Sequence, residues 1–137
     1  MLAAPEPEMT VVIEAPDVRL RQVLEGLAKE VSGLRALVVG DRSGLPIASV
    51  GRGPKILAAT AMATLTLSAA EKVTCALGLP APRGIVIEAD PWVVLVQSLG
   101  NGFTLLSVFP TTKDLEATRD AIIEGAVVVR ELLDEMR

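Results

Sequence analysis

The chain has 137 residues, half of them hydrophobic, with 13 basic and 17 acidic side chains and a net charge of −4. Aromatics make up 2% and no basic run occurs, which argues against a nucleic-acid surface and against recognition of anionic lipid. Histidine and tyrosine are absent, which removes the usual general base, Ser–His and Cys–His dyads, and most transition-metal sites.

Residues 1–16 read as a flexible extension. The stretch AAPEPE is rich in Pro and Glu, and Met9–Glu14 is β-branched enough to add a strand. It lacks the positive region and apolar core of a signal peptide, so a cytoplasmic location is expected. Residues 17–137 are long enough for a single domain burying roughly two-thirds of its unfolded surface. Cys75 is the only cysteine, which rules out an intrachain disulfide and leaves it to act as a small hydrophobe.

From Asp17 to Val31 the apolar residues Leu20, Val23, Leu24, Leu27 and Val31 recur at spacings of three and four, predicting an amphipathic helix stopped at Ser32-Gly33. Leu34–Val39 and Leu45–Val50 predict two strands, joined by the turn residues 40–44 into a hairpin.

Residues 54–78 predict the central helix, with Pro54 suited to its first turn and Gly78 to its stop. No charge lies between Lys55 and Glu71. Ile56, Ala59, Ala63, Leu67, Ala70 and Val73 are expected on one side, while Leu57, Ala61, Leu65, Ala69 and Ala76 point elsewhere. A helix apolar nearly all round must be covered nearly all round. Lipid is a poor cover, because a span needs roughly 20 apolar residues. The uncharged part ends at Ala70 and carries Thr60, Thr64, Thr66 and Ser68. The remaining choices are a well-buried core helix or a helix shared with a second subunit. The second is favoured, because so short a chain has little material for wrapping one helix completely.

Gly84–Glu88, Trp92–Leu99 and Phe103–Phe109 predict three further strands, with gaps short enough only for antiparallel hairpins. Runs such as 85–87 and 93–96 are apolar on both alternating faces, so helices are expected on both sides of the sheet. A last helix runs from a cap at Thr111 or Thr112 to about Met136, burying Leu115, Ile122, Ala126, Val129, Leu133 and Met136. The resulting fold class is an α/β sandwich (α+β) of order α-β-β-α-β-β-β-α. It has a five-stranded antiparallel sheet, the central helix on one face and the terminal helices on the other.

Motifs with chemistry are few. Gly51-Arg52-Gly53-Pro54-Lys55 resembles a phosphate nest, but Pro54 removes an amide such a nest would use, and a connector is the better reading. Asp41-Arg42-Ser43-Gly44 lacks the EF-hand spacing and reads as a turn. Asp114, Glu116 and Asp120, interrupted by Arg119, read as a solvated helix face. None of Arg52, Arg83 and Arg119 is singled out as an arginine finger, and Trp92 is assigned to packing. No catalytic, metal or cofactor site is expected, and the chain is read as not an enzyme.

The order of these pieces, with LVVGDRSGLPIASV (37–50), SAAEKVTCALG (68–78), GIVIE (84–88) and VVLVQSLGNGFTLLSVF (93–109), resembles the Roadblock-type domains. These include dynein light chains and bacterial polarity regulators acting on a Ras-like GTPase. The resemblance spans roughly 18–136 and rests on packing patterns in sequence. It implies a homodimer, or a heterodimer with a second Roadblock-type chain, formed by the central helices and by pairing of the third strand. It also implies a non-enzymatic scaffold or regulator of a small Ras-like GTPase. On this reading the self-association residues are Ala58, Met62, Leu65, Ala69, Ile85, Val86, Ile87 and Glu88, and Lys55, Glu71 and Lys72 are candidate partner contacts. The alternative function is a small-molecule sensory module, which requires an internal apolar pocket.

Overall fold

A computed structural model describes residues 18–31, 33–51, 55–111 and 114–135. The possible strand at 9–14, the Ser32 stop, residues 52–54 of the glycine-rich loop, the Thr112 cap and Met136 lie outside the described residues. The elements are α1 (Val18–Glu30), β1 (Ala36–Gly40), β2 (Pro46–Gly51), α2 (Ile56–Ala76), β3 (Gly84–Ala89), β4 (Trp92–Gly100), β5 (Phe103–Pro110) and α3 (Leu115–Glu135). All strand pairs are antiparallel, and the sheet runs β2-β1-β5-β4-β3. Element order and sheet direction follow the sequence reading.

Side-chain alternation divides the core in two. Toward α1 and α3, Leu37, Val39, Leu95, Leu105 and Phe109 of the sheet meet Leu20, Leu24, Leu27, Ile122, Val129 and Leu133. Toward α2 the layer is thinner: Val38, Val96 and Leu106 meet Ala63 and Leu67, flanked by Ile56, Ile85 and Val94. Helices therefore cover both faces of β1, β4 and β5. Trp92 is half-buried, with the Arg35 guanidinium 5.1 Å from its ring centre.

The sheet-facing row of α2 differs from the expected one. It consists of Ile56, Thr60, Ala63, Leu67, Ala70 and Thr74, at alternating steps of four and three, whereas Ala59 and Val73 are exposed. Thr60 is 0% exposed, and its hydroxyl donates to the Ile56 carbonyl at 2.7 Å. A threonine can thus be buried in a helix without leaving its hydroxyl unbonded. The helix also sits close to β1 at this point. A Cβ on Gly40 would lie 2.7 Å from Thr60 Cγ2 and 2.8 Å from Thr104 Oγ1.

The β1–β2 turn is held by one carboxylate. Asp41 Oδ1 accepts from the amides of Ser43 (2.8 Å) and Leu45 (3.0 Å), and Gly44 takes φ +81°, a conformation that side chains disfavour. Replacing Asp41 with Ala should cost about 1–2 kcal/mol. Urea unfolding should show a lower midpoint at unchanged m value. Asp41→Asn, which keeps an acceptor, should lose less. The amide of Thr111 donates to the Pro91 carbonyl at 2.7 Å, so Thr111 closes the sheet rather than capping α3.

Candidate self-association surface

An α-helix turns about 100° per residue, so the positions opposite the buried row of α2 are fixed by arithmetic. They are Ala58, Met62, Leu65, Ala69, Lys72 and Ala76, and all six are exposed. Met62 and Leu65 are each 63% exposed. Four of these residues, Ala58, Met62, Leu65 and Ala69, are the self-association residues proposed on α2 from the sequence. Small alanines on either side of a Met and a Leu form a shallow surface into which the same surface of a second helix can pack closely.

The flanks extend this patch beyond the sequence reading. Leu57, Val73, Leu77 and Leu79 are also more than half exposed. For Leu57 the signal is the absence of charge before Glu71, but the uniform composition hides where the buried row ends. By length and composition alone, α2 could cross a membrane. Here its inner row is one wall of the second core layer, and taking it into lipid would uncover Val38, Val96 and Leu106.

Strand β3 is a sheet edge and is itself largely exposed. Val86 and Ile87 are 40% and 41% exposed, Glu88 is exposed, and Ile85 is half-buried under α2. The two edges of the sheet are built differently. Edge β2 opens with Pro46, adjoins a bulge at Val39/Gly40 and is packed by α1. Each of these features discourages pairing with another chain. Among the described residues edge β3 has none of them, and no described strand pairs with its outer N–H and C=O groups.

The proposed partner contacts do not form one cluster. Lys55 precedes α2, whereas Glu71 and Lys72 lie near its other end, about 24 Å away by helical rise. Glu71 and Lys72 share a shallow cleft with Ser68, Thr74, Cys75 and Leu79. No group of acidic, His or Cys side chains able to hold a metal occurs among the described residues.

No family model matches the sequence, and no curated protein is significantly similar to it. Solved structures are similar in fold. MglB of Myxococcus xanthus superposes with a TM-score of 0.80 at 14% identity, covering 88% of this chain and 98% of that one. The gliding protein MglB of Thermus thermophilus gives 0.78 at 21% identity, covering 95% and 98%. A Roadblock/LC7 domain from Streptomyces avermitilis gives 0.74 at 21% identity, covering 82% and 95%. The fold of this chain is that of the Roadblock/LC7 domain.

Proposed function

We propose that this chain is a non-catalytic, cytoplasmic dimeric scaffold that binds a small Ras-like GTPase and modulates its nucleotide state or location. The observation that carries the proposal is the exposed apolar outer face of α2, in a chain whose sheet also ends in the exposed strand β3. An exposed apolar helix face of this kind marks an interaction surface. A second copy, or another chain of the same fold, offers the same helix and edge about a two-fold axis. An MglB of this fold has been solved in a tetrameric arrangement, in keeping with self-association. Shape similarity to MglB and the resemblance in motif order favour a GTPase as the further partner. In a two-fold dimer, Lys55 and the Glu71–Lys72 pair of each copy would lie at the ends of the paired helices, where a third protein could touch both copies.

The sensory-module alternative finds no support in the clefts between β4 and α3, between α1 and α3, and at the end of α2, all of which open to solvent. Co-purification with the Ras-like GTPases of the same organism, loaded with GDP or GTP, tests the proposal. One of them should be retained with a preference for one nucleotide, and its hydrolysis or exchange rate should change on binding. Lys72→Glu should weaken retention. Failure to retain any of them at tens of micromolar would refute GTPase binding while leaving self-association standing.

A further inference from the structure

On the α1/α3 side of the sheet, a cleft of about 480 Å³ opens between the end of β4 and α3. Helix α3 turns one flank to α1, through Gly125 and Val128, and the opposite flank to this cleft, through Ile123, Val127 and Arg130. Ile123 and Val127 are 42% and 43% exposed, so the cleft has an open apolar wall. Its floor holds Gln97, which interrupts a row otherwise made of Val93, Leu95 and Leu99. Gln97 is 8% exposed, and its Oε1, an acceptor, meets no donor among the described residues. Gly84 stands opposite Gln97 on β3 and adds no side chain to cover it. Arg83 and Arg130 also line the cleft and make no ion pair among the described residues, although the chain is net acidic.

These features define an occupant. It needs negative charge for two guanidiniums, an N–H for the Gln97 oxygen, and apolar side chains for Ile123 and Val127. A small anion such as phosphate brings no apolar surface. An extended acidic segment of polypeptide brings all three.

The chain contains such a segment. Of its 17 acidic and 13 basic side chains, Glu6, Glu8, Glu14 and Asp17 but no basic ones fall in residues 1–17, so the whole net charge of −4 sits there. Met9, Val11, Val12 and Ile13 supply the apolar part. The segment can also reach. Helix α1 starts at Val18, and Arg19 pairs with Glu135 in the last turn of α3 at 2.7 Å. From Glu135 back to Arg130 is about 7.5 Å of helical rise, and crossing to the other flank adds a helix diameter of about 10–12 Å. About six extended residues, at roughly 3.3 Å each, span that path. Residues from Val11 back to Glu6 can then lie in the cleft.

We infer that residues 6–12 dock into the cleft of their own chain. Glu6 and Glu8 pair with the guanidiniums of Arg83 and Arg130, a backbone N–H of the segment donates to Gln97 Oε1, and Met9 and Val11 cover Ile123 and Val127. The contact lies across the sheet from α2, so it is separate from the self-association face. Any acidic partner segment must displace these residues to enter the cleft.

Hydrogen exchange of the full-length chain, read by mass spectrometry, tests the docking. Amides of residues 8–13 should exchange about tenfold or more slowly than in a synthetic peptide of residues 1–17. Arg83→Glu with Arg130→Glu should return them to the peptide's rate, and adding Glu6→Lys with Glu8→Lys should restore part of the protection. Both arginines are exposed, so protection within α3 should stay unchanged in these variants. Gln97→Leu completes the apolar row yet should also speed exchange at 8–13, because the segment loses its acceptor. Peptide-rate exchange in the wild type, protection that survives the arginine reversal, or no effect of Gln97→Leu would overturn the inference. Mixing settles the source of the segment. The arginine-reversed chain is combined with a chain carrying only Glu6→Lys and Glu8→Lys, whose cleft is intact and whose own segment is repelled. The intact segment of the first should stay unprotected. Protection there would mean that the cleft takes the segment of another copy, and would overturn docking within one chain.

Discussion

Leu65→Glu should convert a dimer of twice the 14.4 kDa chain mass into a folded monomer, as read by light scattering after gel filtration. Leu65 sits opposite the buried row of α2 and is 63% exposed in the isolated chain, so the change leaves the chain's own core untouched. In the dimer it should be severe. Each copy loses the burial of a leucine, worth about 1.5–3 kcal/mol when complete, and the two-fold repeats the loss. Each copy also places a carboxylate in an apolar seam with no partner, and the two carboxylates face the same axis. A loss of at least about 4 kcal/mol follows, or roughly a thousandfold in dissociation constant. Far-UV circular dichroism should retain the α/β spectrum. Val128→Glu places the same charge on an exposed apolar position of α3 and should leave the dimer mass unchanged. If Leu65→Glu sediments like the wild type, the outer face of α2 is not the seam.

The same reasoning explains why the two layers of the core are unequal. The α1/α3 layer closes on itself, helix against helix and both against the sheet. The α2 layer has one helix resting on three central strands by a single row of mostly small side chains. Small residues bring α2 close to β1, and the Gly40–Thr60 contact depends on that approach. They also give up much of the apolar area a larger row would bury. A seam on the far side of α2 would supply the missing burial.

How much of this is legible in the sequence differs from element to element. Helices α1 and α3 carry clean three-and-four spacings with charges between, so their buried rows can be read directly; Leu20, Leu24, Ile122 and Val129 all lie where that pattern puts them. The outer face of α2 was equally open to inspection, through Ala58, Met62, Leu65 and Ala69. Its inner row was not, because a helix apolar all round has no polar edge to fix the phase. The composition puts Val73 on the inner side and gives no sign that Thr60 belongs there, whereas Thr60 is buried and Val73 exposed. The edge position of β3 follows from strand order, which no local pattern encodes. Ile85, Val86 and Ile87 resemble a strand buried on both faces, yet among the described residues β3 has β4 on one side and no strand on the other. The Gln97 cleft was missed for the same reason. One glutamine among β-branched residues has no meaning until Gly84 and α3 are placed beside it.

Two helix glycines should respond to the same methyl group with opposite signs. Gly26 in α1 is exposed, and a Cβ there would meet nothing within 4 Å. Gly26→Ala should therefore stabilise the fold by about 0.5–1 kcal/mol, from helix propensity and a less flexible unfolded chain. Gly125 in α3 is buried where α3 crosses α1, and a Cβ there would lie 2.8 Å from Leu27 Cγ and closer still to both its methyls. The same propensity gain is available at Gly125, but the methyl must displace a leucine held in the main core, and overpacking costs about 1–3 kcal/mol. Gly125→Val adds two more methyls, gives back part of the propensity gain and should be clearly destabilising, by about 2 kcal/mol or more. Leu27→Ala alone should cost about 2–5 kcal/mol through the cavity it leaves. Once that cavity exists, a side chain at position 125 fills it rather than colliding, so Gly125→Ala should become stabilising in the Leu27→Ala background. Urea denaturation of the four proteins in this cycle gives the coupling between the two sites. A sign change at position 125 identifies the α1–α3 crossing as closed by the fit of Leu27 over Gly125. Simple additivity would mean that the two helices accommodate the extra methyl by moving apart.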